Sequence, residues 1–155
     1  MHVSFIGSTN TCRSPMAALV FREHLHREGI AERVRVTSAG TGLWLVGAPT
    51  DRRATAVLVD HGYPVGHVAA PLGSDHLNAS LLVALDSGHA RTLRRLVTDP
   101  DRVRLLRSFD PVAGEDVDVP DPYYGGPAEY AEVLRMVESA VPGLLDRVCD
   151  ELDRA

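Results

Sequence analysis

The chain has 155 residues, 45% of them hydrophobic, and a net charge of −5 from 16 basic and 21 acidic residues. This composition supports a packed core of ordinary size and argues against disorder. The acidic balance argues against non-specific nucleic-acid binding, which needs a basic face. The two cysteines, Cys12 and Cys149, form no disulfide framework and show no metal-type spacing. No apolar run approaches the ~18 residues of a membrane span, and no basic leader precedes the first apolar run. A cytoplasmic protein with one domain over residues 1–155 is expected, with no metal, no cofactor, no membrane and no nucleic acid.

In chain order, the apolar run His2 to Ile6 reads as a buried strand, and Pro15 opens an apolar-periodic helix through about His26, stopped at Glu28-Gly29. Arg33 to Ser38 alternates as a strand does, and Ala39 to Pro49 is a Gly-rich loop carrying Trp44. Thr50-Asp51 caps a helix to about Asp60, and Ser74 to Ser80 holds a short helix. The continuous apolar run Leu81 to Leu85 is a central strand. Asp86-Ser87-Gly88 then turns the chain and caps the helix His89 to Val97. Val103 to Leu106 is the fourth strand, Asp110 to Gly126 a long polar loop, and Pro127 to about Asp153 the last helix, which Pro142 is expected to kink or split. Strands alternating with helices predict an α/β fold: a doubly wound, mainly parallel four-stranded sheet with helices on both faces.

In such sheets, ligands bind beyond the carboxyl ends of the strands. That is where Gly7, Ser8, Thr9, Asn10, Thr11, Cys12, Arg13 and Ser14 fall. A strand, a loop of small residues and a helix start point backbone N–H groups at an anion, and Arg13 adds a fork of donors suited to phosphate. The loop is therefore a candidate oxyanion cradle. In the long polar loop, Asp121-Pro122-Tyr123-Tyr124 puts an acid beside two aromatics, the elements of a general acid and a pocket wall. Trp44 is read equally as core or as part of that wall. No His pattern suited to a metal occurs.

These residues together resemble the low-molecular-weight protein-tyrosine phosphatases over essentially the whole chain. Asn10-x-Cys12-Arg13-Ser14-Pro15-Met16-Ala17 matches the second half of that family's N-terminal motif, Ser38-Ala39-Gly40-Thr41 its Ser-Ala-Gly-Thr, and Asp121-Pro122-Tyr123-Tyr124 its general-acid motif. The resemblance implies a metal-free cysteinyl-phosphate mechanism on aryl phosphates, chiefly phosphotyrosine. Arg13, Asn10, Ser14 and the loop amides would hold the oxygens, Asp121 would protonate the leaving phenolate, and Ser38 would support the loop through Asn10.

The departure from the family lies at position 7, six residues before Arg13, where the family's nucleophilic Cys falls and this chain has Gly7. Ser8 and Thr9 differ as well, and Thr9 replaces a glycine, so a loop redrawn to avoid positive φ at a β-branched residue is expected. Of the possible substitutes, Ser8 has no evident neighbouring base, and Cys12 adjoins Arg13. Three functions are thus open. The favoured one is a repurposed enzyme using Asp121 and Arg13 for non-covalent acid/base chemistry on an aromatic or oxyanion-bearing substrate. The second is a pseudophosphatase that binds phosphotyrosine or phosphate. The third is an active phosphatase with a substitute nucleophile or water. The partner is accordingly phosphate or another oxyanion, an aromatic small molecule or a phosphotyrosine protein.

Overall fold

The computed structural model describes residues 1–155. Strands β1 (His2–Gly7), β2 (Arg35–Gly40), β3 (Leu81–Ala84) and β4 (Val103–Leu105) form one parallel sheet in the order β2-β1-β3-β4. Helices α1 (Arg13–Arg27), α2 (Arg52–Asp60), α3 (Ser74–Leu77), α4 (Ser87–Leu96) and α5 (Pro127–Arg154) complete the α/β fold. The expected architecture is thus the observed one, with every strand pair parallel.

Alternate residues of the strands feed two cores, as the period of a strand requires. Val3, Phe5, Leu81 and Val83 join α1, α2 and α5 in the larger cluster. Ile6, Ala39, Leu82 and Ala84 join Ala90 and Leu93 of α4 in the smaller. β1 sits between β2 and β3, so the chain runs outward from β1 in both directions. The crevice beyond the carboxyl ends of β1 and β3 is the topological switch point where such sheets hold ligands.

Three local expectations need correction. Helix α1 begins at Arg13, two residues before Pro15. The proline therefore occupies the first turn, where its missing N–H costs nothing. β2 starts at Arg35, because Ala31–Arg33 winds into a 3₁₀ turn first. Helix α5 runs through Pro142 without a break. Ala140, Val141 and Leu144 around the proline are all fully buried in the larger core, and that packing outweighs one lost backbone hydrogen bond. Gly143 lets this turn press on the 3₁₀ turn Leu106–Phe109: a Cβ there would lie 2.2 Å from the Phe109 carbonyl oxygen.

Candidate active site

The loop after β1 is shaped by what is fastened to it. Asn10 is the single non-glycine residue with positive φ, at 59°, a conformation that asparagine tolerates better than most. Its side chain makes the turn rigid. Nδ2 donates to Ser14 Oγ at 2.8 Å and to Ser38 Oγ at 3.0 Å, while Oδ1 accepts from the Ala70 N–H at 3.0 Å. His67 Nε2 donates to the Asn10 carbonyl at 2.8 Å. Ser38 thus takes the place expected of it. His67 and Ala70 had no distinguishing pattern in the sequence.

The end of β2 clamps the other side of the loop. Thr41 N–H donates to the Gly7 carbonyl at 3.0 Å and Gly42 N–H to the Ser8 carbonyl at 2.8 Å. Gly40 is required here for clearance, since a Cβ on it would lie 2.5 Å from the Ser8 carbonyl oxygen and 3.1 Å from the Asn10 nitrogen. Both obstacles are backbone, so the loop itself would have to move. Gly40→Ala is therefore expected to lower stability by about 1–3 kcal/mol and to weaken inorganic phosphate binding. Thermal melts and phosphate titration of the variant check this, and an unchanged pair of values contradicts the clamp.

Thr9 does not adopt positive φ, so the expected redrawing of the loop around it does not occur. Its hydroxyl instead meets Thr11 Oγ1 at 2.8 Å, and the left-handed turn is carried by Asn10 alone.

Arg13 is buried, with 6% of its side chain exposed. Nη1 is committed to the scaffold: it donates to Asp86 Oδ2 at 2.9 Å and to the Val119 carbonyl at 2.8 Å. Nη2 faces the loop, 3.4 Å from Ser8 Oγ and 3.9 Å from Asp121 Oδ2. The small polar cavity between them is lined by Gly7, Ser8, Asn10, Arg13, Ser14 and Asp121. Burial opposes ionisation of Asp86, but the hydrogen bonds from the His89 N–H and Arg13 outweigh it and hold its carboxyl below the usual carboxylate range.

Asp121 hangs over this cavity with 55% of its side chain exposed. Its Oδ1 accepts from the Tyr123 N–H at 3.1 Å. The long loop that carries it is tied down at several points. Val119 N–H donates to the Leu85 carbonyl at 2.8 Å, Ser87 binds the Asp118 carboxylate, and Arg53 donates to the Tyr123 and Gly125 carbonyls. A second cavity of about 340 Å3 opens beside the first, lined by Ser8, Thr9, Trp44, Asp121, Tyr123 and Tyr124. Trp44 is thus a wall residue, largely exposed. Tyr124 is 97% exposed and meets Tyr123 edge-on with ring centroids 5.0 Å apart. A slot with aromatic walls above a polar floor suits an aryl group bearing an anion.

Cys12 lies under the loop, buried, with its Sγ 3.3 Å from Tyr130 Oη. Burial pushes its thiol up, and hydrogen bonds from Tyr130 and Thr11 only partly oppose this. Being next to Arg13 in sequence does not make it a thiolate.

The residue that sequence reasoning missed is His89. It stands on the first turn of α4, 5% exposed, and its Nε2 is 2.8 Å from Ser8 Oγ. The expectation that Ser8 lacks a neighbouring base is therefore wrong. The two residues lie far apart in the chain and meet because β3 is the sheet neighbour of β1. The spacing Asp86-x-x-His89 reads in the sequence as a helix start, and Asp86 does cap α4 by accepting from the His89 N–H at 3.0 Å.

A parallel sheet in this order, an arginine-anchored loop after its first strand and an acidic loop above it are the plan of the low-molecular-weight phosphatase fold. The model of the family "Low molecular weight phosphotyrosine protein phosphatase" matches residues 2–154, and the chain belongs to that family. It is 53% identical over 155 residues to low molecular weight protein-tyrosine phosphatase A of Mycobacterium tuberculosis, covering 99% of this chain and 95% of that one. It is 49% identical over 156 residues to low molecular weight protein-tyrosine-phosphatase of Streptomyces coelicolor, covering 97% and 95%. Among solved structures, protein tyrosine phosphatase from Entamoeba histolytica, with Hepes in its active site, superposes with a TM-score of 0.92 at 26% identity over 97% of this chain and 98% of that one.

Proposed function

We propose that this chain holds an aryl phosphate, or an aromatic compound bearing a similar oxyanion, in the loop Gly7–Ser14, and that the cysteinyl-phosphate route of its family is closed because position 7 has no side chain. The observation that carries the reading is the fastening of Asn10 by Ser14, Ser38 and Ala70. The loop is held in its anion-binding form by bonds that involve no side chain at position 7. Arg13 supplies the fixed charge and the slot of Trp44, Tyr123 and Tyr124 receives the aryl group.

A second reading, non-covalent acid/base chemistry, is favoured by one feature. Asp121 and Ser8 both stand against the same Arg13 nitrogen, so a proton donor and a proton acceptor face one bound molecule. Pure binding accounts less well for Asp121, because a carboxylate repels a bound dianion unless it is protonated.

The test is calorimetric titration of the protein with inorganic phosphate and with phosphotyrosine. Both are expected to bind, with phosphotyrosine the tighter ligand. Replacing Trp44 by Ala should remove most of that difference and leave phosphate affinity within a few-fold. If neither ligand binds, the cradle reading is wrong.

A further inference from the structure

The contact between Ser8 and His89 is out of place in a loop whose chemistry is assigned to position 7. Ser8 Oγ stands 2.8 Å from His89 Nε2 and 3.4 Å from Arg13 Nη2. On the far side of the ring, Nδ1 is buried and makes no hydrogen bond. The carboxylate oxygen Asp86 Oδ1 lies 3.2 Å from it, off the line of a bond. A bare nitrogen lone pair held that close to a carboxylate is repelled, so the ring proton belongs on Nδ1. This assignment leaves the Nε2 lone pair directed at Ser8, which donates to it. Arg13 Nη2 approaches the same oxygen and stabilises negative charge developing there.

His89 lines neither the polar cavity nor the aromatic slot, whereas Ser8 lines both. The imidazole therefore reaches a bound molecule only through the Ser8 hydroxyl. A nucleophile bonded to a base, with an acid behind the base, is a recurring arrangement for activating serine on unrelated folds. Burial keeps His89 neutral at pH 7 by pushing it down; Asp86, Asp121 and Asp118 oppose this and Arg13 adds to it.

We propose that Ser8 is the nucleophile of this site, with His89 as its general base and Asp86 as a positioning residue, so that the enzyme works through a phosphoseryl intermediate one residue beyond the empty position. The proposal rests on the aryl-phosphate reading above. In the first step, Ser8 Oγ attacks phosphorus and its proton passes to His89 Nε2. The bond from phosphorus to the aryl oxygen breaks, and that oxygen takes the proton of the Asp121 carboxyl and leaves as a phenol. In the second step, water gives a proton to the Asp121 carboxylate and its oxygen bonds to phosphorus. The bond from phosphorus to Ser8 Oγ breaks, and Ser8 recovers its proton from the His89 imidazolium. Phosphate leaves, and every residue returns to its starting state.

The experiment is acid quench of the protein during turnover of para-nitrophenyl phosphate, followed by peptide mass spectrometry, with phosphate titration in parallel. One added phosphoryl group is expected on Ser8. Ser8→Ala should lose it and lower turnover at least ~10²-fold, with phosphate affinity kept within a few-fold. His89→Gln, which keeps a hydrogen-bonding partner for Ser8 but accepts no proton, should lose turnover similarly. Protonation of His89 should impose an acid limb on the rate of the unaltered protein, and that limb should lie below 6.5, the ordinary histidine value. Asp86→Asn should move that acid limb to still lower pH, because the carboxylate is what favours the protonated ring; a merely structural role would leave the limb in place. A phosphoryl group on Cys12, full turnover by Ser8→Ala, or turnover with no trapped intermediate overturns the proposal. Bound phosphate with no turnover overturns it too and leaves the cradle reading standing, whereas failure to bind phosphate overturns both.

Discussion

Gly7→Cys is expected to raise turnover of aryl phosphates by ~10²–10⁴-fold and to make it independent of Ser8. Losing a catalytic nucleophile costs on the order of 10⁶ in rate, which sets the ceiling, and the gain falls below it because the Ser8–His89 pair proposed above already supplies part of that rate. Full recovery is not expected, because the space around position 7 is tight. A Cβ at position 7 would lie 3.0 Å from Ser14 Oγ and 3.2 Å from Ser14 Cβ. Ser14 must yield by a few tenths of an ångström while remaining the acceptor of Asn10 Nδ2, and overpacking of this kind costs about 1 kcal/mol or more. Position 7 does not have positive φ, so the backbone itself accepts a side chain. The measurement is kcat/KM for para-nitrophenyl phosphate in Gly7→Cys and in the double variant Gly7→Cys with Ser8→Ala. Equal and high values in the two show that the family's route has been rebuilt. No gain in either contradicts the view that the rest of the cradle is intact.

Arg13→Ala is expected to weaken phosphate binding by ~10–10²-fold and to destabilise the fold by about 2–3 kcal/mol. The binding loss follows from removing a charge-assisted donor, worth about 1.5–3 kcal/mol. The stability loss has a separate source. Arg13 Nη1 joins Asp86 to the Val119 carbonyl, so its removal leaves a partly buried carboxylate without its partner. Breaking a buried pair costs roughly 3–5 kcal/mol, and the partial exposure of Asp86 lowers this. Urea unfolding and phosphate titration separate the two effects. A second replacement, Asp86→Asn, should recover part of the stability and none of the affinity, since it neutralises the stranded charge without restoring a donor. If Arg13→Ala unfolds at the same urea concentration as the unaltered protein, the arginine is not the tie between α1, β3 and the acidic loop.

The same arginine shows what could be read from local sequence. The candidate cradle is legible because its parts are contiguous: an apolar strand, a run of small residues, an arginine and a helix start each have a short-range signature. The acidic loop was legible from its length and from an aspartate beside two tyrosines. Its place in the loop before Arg13 marks Asn10 as a candidate anion holder. Its larger role, as the sole left-handed residue holding together Ser14, Ser38 and Ala70, depends on segments that sequence spacing does not bring together.

The parallel α/β architecture, the loop of small residues before Arg13 and the glycine at position 7 are readable from the sequence alone, since hydrophobic period, turn chemistry and residue identity are local properties. The tertiary structure decided what stands beside the loop. The order β2-β1-β3-β4 sets the end of β3 against the end of β1, and so brings His89 to Ser8 and Asp86 to Arg13. A capping pattern for one helix thereby became a base and its positioning acid for another loop. Burial decided the rest: it keeps the Cys12 thiol protonated and the His89 ring neutral, because desolvation acts through everything packed around a group, not through its neighbours in the chain.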